Sequence, residues 1–86
     1  MKEANIVIGT CYRLKVVEHG NICKWMSYEI EKCKDVFPGK KPTYHYELYV
    51  DGENEGEDFK TIKEARDYVK DLRDSWIENH PGENLF

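Results

Sequence analysis

The sequence predicts an α+β fold: a three- or four-stranded antiparallel β-meander with one C-terminal helix packed on one face. Three observations predict it. Apolar residues recur at every second position over residues 5–18, 22–32 and 43–51. The spacing then changes to a helical period over 62–79, and segments rich in glycine, proline and asparagine separate the runs. At 86 residues the chain has the size of a single domain, residues 1–86.

In the first strand Ile6, Ile8, Tyr12, Leu14 and Val16 form the apolar set, with Asn5, Arg13 and Lys15 opposite. His19-Gly20-Asn21 supplies turn chemistry. The second strand buries Ile22, Met26, Tyr28 and Ile30, with Cys23, Trp25, Ser27, Glu29 and Glu31 on its other side. If even positions of both strands face the core, only an odd-numbered loop keeps both apolar sets on one face. A three-residue loop over His19–Asn21 satisfies this and pairs Leu14 with Met26 and Tyr12 with Tyr28.

Pro38-Gly39 and Pro42 mark the 35–42 segment as a loop. The third strand turns Tyr44, Tyr46, Leu48 and Val50 inward and His45, Glu47 and Tyr49 outward. Asp51-Gly52 opens a turn, and residues 54–59 make a short fourth strand if they pair. The helix begins at a capping box, Thr61-Ile62-Lys63-Glu64. It carries Ile62, Ala65, Val69, Leu72 and Trp76 as its apolar stripe, widened by Tyr68 and Ile77. Asn79-His80-Pro81-Gly82 stops it. One helix covers one face of a sheet, so the other face is expected to meet solvent or a partner.

Composition narrows the function classes. Mean hydropathy is −0.80, and the longest apolar run, Ile6-Val7-Ile8, is far from the ~20 residues of a membrane span. Met1–Asn5 leads into a strand-like segment without a cleavage-site pattern, so the expected location is cytoplasmic. Cys11, Cys23 and Cys33 form no C-x-x-C pair, and His19, His45 and His80 are scattered. In the predicted register Cys23 lies opposite Val17, ~20 Å from Cys11, and Cys33 lies four residues along from Cys11. Three reduced thiols, no metal and no cofactor are therefore expected. Cys23, Cys33 and His45 are nucleophile and base by residue type, but no spacing joins them, and the expectation is a non-enzyme.

Residues 51–58 resemble a calcium loop only in part, because Ile62 stands where the bidentate glutamate belongs. They read as a solvated acidic turn. Charge divides along the chain. Residues 1–46 hold eight Lys/Arg against five Asp/Glu, and residues 47–86 hold five against twelve, which recovers the net −4. Trp25 and Tyr49 fall on the uncovered face and have the character of binding anchors. Trp25 becomes core instead if a loop covers it or a bulge reverses it.

The stretch Phe59-Lys60-Thr61-Ile62-Lys63-Glu64-Ala65, following a tyrosine-rich strand, resembles the strand-to-helix corner of AP2-like, arm-type DNA-binding domains of phage integrases. The resemblance covers residues 43–73 and implies a three-stranded sheet on one C-terminal helix, with the sheet face against DNA. The integrase sheet face is basic, whereas Arg13 and Lys15 here share theirs with Glu29, Glu31 and Glu47.

The functional expectation is a small non-catalytic module that docks onto a protein partner. Its uncovered sheet face would supply Trp25, Tyr49, Arg13 and Lys15, and the acidic turn would supply Glu53, Glu55, Glu57 and Asp58 as steering charge. A modulator encoded by a phage or mobile element is one setting that small size and acidity suggest. The alternative is nucleic-acid binding through Arg13, Lys15, Trp25 and Tyr49. A third reading is self-association through the same face.

Overall fold

A computed structural model describes residues 9–86. Strands β1 (Thr10–Cys23), β2 (Met26–Val36), β3 (Thr43–Val50) and β4 (Glu53–Phe59) precede one helix, α1 (Ile62–Asn79). The sheet order is β1-β2-β3-β4, with every neighbouring pair antiparallel. The fold is thus the expected α+β meander in its four-stranded form. The part of the first predicted strand at residues 5–8 lies outside the described residues.

The first hairpin differs from the sequence expectation. β1 continues through His19, Gly20 and Asn21, which pair with Glu29, Tyr28 and Ser27, and the turn is the two residues Lys24-Trp25. Gly20 stays in the strand because the Tyr28 ring lies over it: a Cβ there would meet the ring at 3.1 Å. The parity argument assumed an unbroken ladder. The actual pairing shifts between Arg13 and Lys15, Val16 and Glu18, and Asn21 and Cys23, each time adding one residue to β1. Each such bulge changes which residues of β1 share a face with β2. Tyr12 therefore pairs with Lys34 rather than Tyr28.

The second turn follows its sequence chemistry. Asp51 and Gly52 have φ of 50° and 84°, the positive pair that a two-residue type I′ hairpin requires. Asp51 also ties this turn to β2: its Oδ1 accepts from the Ser27 amide at 3.0 Å, and its own amide donates to the Ser27 carbonyl at 3.0 Å.

One side of the sheet holds the core. Ile22, Tyr28, Ile30, Leu48 and Phe59 pack against Ala65 and Val69 of α1. Tyr68 meets Phe59 edge-on at 5.5 Å. Ile77, expected to widen the helix stripe, is exposed. The helix starts beside Phe59, which pairs with Tyr46, and runs toward the first hairpin tip, where Trp76 meets Trp25. It leaves residues 10–15, 32–36 and 43–44 uncovered. Tyr12 and Tyr44, expected in the core, are 51% and 50% exposed for that reason. Leu14, also expected there and 47% exposed, is the unpaired residue of the first bulge. Val16, likewise expected there and 43% exposed, is turned by that bulge to the face away from α1, opposite Glu31.

Candidate functional site

The helix-free half of the sheet has two chemically distinct faces, and the register builds both. On the face away from α1, one row runs Arg13, Cys33, His45, because Arg13 pairs with Cys33 and Cys33 with His45. Neighbouring rows place Cys11 opposite Asp35 and Glu31 opposite Glu47. Donor atoms of Cys11, Cys33, His45 and Glu47 all lie within 4.8 Å of one another. It is the one place among the described residues where three or more sulfur, imidazole and carboxylate ligand groups converge.

The hydrogen bonds around this cluster are ordered. His45 Nδ1 lies 2.5 Å from Asp35 Oδ2, and its Nε2 lies 2.7 Å from Glu47 Oε2. The other Glu47 oxygen, Oε1, accepts from the Tyr49 hydroxyl at 3.0 Å and from Asn54 Nδ2 at 3.1 Å. Burial lowers the affinity of His45 for a proton, but the bonds to Glu47 and Asp35 outweigh it and raise its pKa. The bond from His45 in turn holds Glu47 below the ordinary carboxylate range, against its burial.

The Cys33 thiol is pushed up to about 12, chiefly by burial and then by the Glu47 charge. Desolvation and the carboxylates of Asp35 and Glu47 also raise Cys11. Nucleophile activation needs the opposite shift, toward thiolate. The two thiols are therefore held protonated beside an ionised Glu47.

Beside it, Arg13 makes a two-pronged contact with Glu31, Nε donating to Oε1 at 3.2 Å and Nη2 to Oε2. Glu31 is the buried charged residue of the described chain, so Arg13 is committed to neutralising it. The guanidinium also lies 4.9 Å from the centre of the Tyr49 ring. Both residues therefore belong to this internal network instead of standing free as anchors.

The opposite face of the same half is different. Tyr12 pairs with Lys34, Lys34 with Tyr44, and Lys15 with Lys32, which pairs with Tyr46 on the core side of the sheet. Lys15 thus lies on this face and away from Arg13, a consequence of the bulge at Leu14. Lys32 Nζ sits 5.0 Å from the centre of the Tyr44 ring. Two half-exposed tyrosines and three lysines occupy these positions, with no carboxylate among them.

The remaining predicted site residues are dispersed. Trp25 does not share a face with Tyr49: it occupies the first hairpin tip, 63% exposed, with its ring 6.1 Å from that of Trp76. Trp76 in turn stacks on His80 at 4.2 Å. The acidic run is mostly strand. Only Asp51-Gly52 forms the turn, and Glu53, Glu55, Glu57 and Asp58 belong to the edge strand β4. Glu53 and Glu57 are exposed, Glu55 accepts from the Tyr68 hydroxyl at 3.5 Å, and Asp58 lies 3.7 Å from His45 Nε2.

Linear spacing missed the cysteine–histidine–glutamate cluster, and the expected distance between Cys11 and Cys33 is overturned. Cys33 lies across from Arg13, two residues from Cys11, and their sulfurs approach within 4.8 Å. A signal for half of the cluster was present. A hairpin centred on Gly39 pairs residue 33 with residue 45, as observed. Comparison with known families, with characterised proteins and with solved structures finds no match to this chain.

Proposed function

We propose that the chain is a small non-catalytic binding module that docks onto a protein partner through the helix-free half of its sheet. The observation that carries this reading is the surface of Tyr12, Tyr44, Lys15, Lys32 and Lys34, aromatic and cationic with no interleaved carboxylate. Tyrosines give rigid contact area with a polar handle. Lysines without local acids attract an anionic segment and set its register. The fitting partner is an acidic protein segment with apolar residues to seat against the tyrosine rings. The net charge of −4 repels an extended polyanion at long range, whereas a short peptide experiences chiefly the local lysines. A cytoplasmic setting, where thiols stay reduced, suits three free cysteines.

Selection from a random peptide library, followed by fluorescence anisotropy on the winners, tests this. Acidic sequences containing aromatic or aliphatic residues should be enriched. Changing Tyr12 and Tyr44 together to serine should weaken them about tenfold or more. Absence of acidic enrichment, or binding unchanged in the double variant, overturns the reading. Tight binding of single-stranded DNA or RNA that collapses with salt would replace the protein partner by a nucleic acid.

A further inference from the structure

We propose that Cys11, Cys33, His45 and Glu47 form a binding site for a divalent transition-metal ion, zinc by preference, that clamps β1, β2 and β3 together. The inference is independent of the docking surface, which lies on the other side of the sheet. The first support is distance. Tetrahedral zinc with bonds of about 2.0–2.3 Å separates its ligand atoms by roughly 3.3–3.8 Å. The four donor atoms, already within 4.8 Å of one another, reach that spacing by small side-chain rotations.

The second support is the donor set. Two sulfurs and an imidazole exclude the hard cations magnesium and calcium and suit zinc. The third is the surrounding shell. Asp35 holds His45 Nδ1 at 2.5 Å, so Nε2, which in the metal-free chain bonds Glu47 Oε2 at 2.7 Å, is the nitrogen that a metal takes by replacing the proton between the two. A carboxylate behind a ligating histidine fixes its tautomer and ring orientation. Tyr49 and Asn54 likewise occupy Oε1 of Glu47 and leave Oε2 toward the cluster. Cys11 is exposed and the other three donors are buried or half-buried, which gives the ion an entry path.

A fourth support is need. The ligands come from three adjacent strands in the half of the sheet that α1 does not back, so a metal would supply the cross-link that hydrophobic cover supplies elsewhere. A Cys11–Cys33 disulfide fits less well. The two residues are diagonal neighbours, about 7–8 Å apart in an antiparallel pair, beyond the usual ~4.4–6.8 Å between bridged Cα atoms. On binding, the metal displaces one proton from each thiol and the Nε2 proton that His45 shares with Glu47, and all three leave to solvent.

Cobalt(II) titration of the full chain, reduced and metal-free, tests the site. The expected result is one equivalent bound, with the visible bands of a tetrahedral centre and a near-ultraviolet thiolate charge-transfer band, both erased by zinc. Because Cys11 is exposed, Cys11→Ser tests ligation without opening the core. It should lose most of the charge-transfer intensity while circular dichroism confirms the fold. Cys23→Ser, at the far hairpin tip, should titrate like the parent. Asp35→Asn should weaken zinc about 10–100-fold and keep the tetrahedral spectrum. An octahedral spectrum without charge transfer, or a Cys11→Ser variant that binds as tightly as the parent, overturns the proposal.

Discussion

At the residue scale, Glu18 shows how one bulge sets a side chain's role. The shift between Val16 and Glu18 turns Glu18 toward the helix. There it accepts from Tyr28 at 2.9 Å and from Arg66 Nε at 2.7 Å. Burial pushes its carboxyl up, but the bonds from Arg66 and Tyr28 outweigh it and hold the pKa below the ordinary carboxylate range. A depressed folded-state value means that the unfolded chain binds more protons in the interval between the two values. The contribution of Glu18 is therefore present above the ordinary carboxylate range and lost as pH falls through its lower folded value. Urea midpoints of the parent and Glu18→Gln, compared from neutral to acid pH, should differ most at neutral pH and converge in acid. A pH-independent difference would remove the linkage. Nothing within the neighbourhood of Glu18 in sequence indicates this role, since both partners lie at least ten residues away.

At the scale of elements, local signals were the most legible. Thr61 accepts from the Glu64 amide at 3.2 Å, as the capping pattern predicts, while the Glu64 carboxylate reaches back to the Lys60 amide at 3.0 Å, one residue before the cap. The cap depends on contacts within four residues, so sequence alone suffices to find it. Thr61→Ala should cost about 1 kcal/mol, read as a lower urea midpoint with an unchanged slope. The Asp51-Gly52 turn was equally legible, because positive φ at both positions selects those residues. The first hairpin was not. Its turn, Lys24-Trp25, has none of the usual turn residues, and His19-Gly20-Asn21 has them without turning. There the cross-strand packing of Tyr28 over Gly20 and the burial of Ile22 and Cys23 outweigh local preference.

At the scale of the whole molecule, the sheet outruns its helix among the described residues. One half is a two-layer sandwich around Ile30 and Leu48; the other is a bare sheet with a polar cluster on one face and a cationic aromatic surface on the other. The described chain contains no helix long and apolar enough to cross a membrane. Local stability should follow the same division. Hydrogen exchange of the metal-free chain should protect the amides of Ile30, Leu48 and Val69 more than those of Tyr12, Arg13 and His45. Uniform protection along β1 and β2 would contradict the division.

By itself the sequence determined the α+β class, a meander of three or four strands followed by one helix, the cap, the Asp-Gly turn and the acidic character of residues 51–58. Each follows from side-chain periodicity or from the conformational preference of adjacent residues. Tertiary structure decided the register of the first hairpin, and with it the face on which Lys15 lies, the exposure of Tyr12 and Tyr44, and the meeting of Cys11, Cys33, His45 and Glu47. The physical reason is the two-residue period of a strand: every one-residue bulge reverses inside and outside beyond it. Three bulges in β1 are chosen by packing across the sheet, between residues that sequence distance keeps apart.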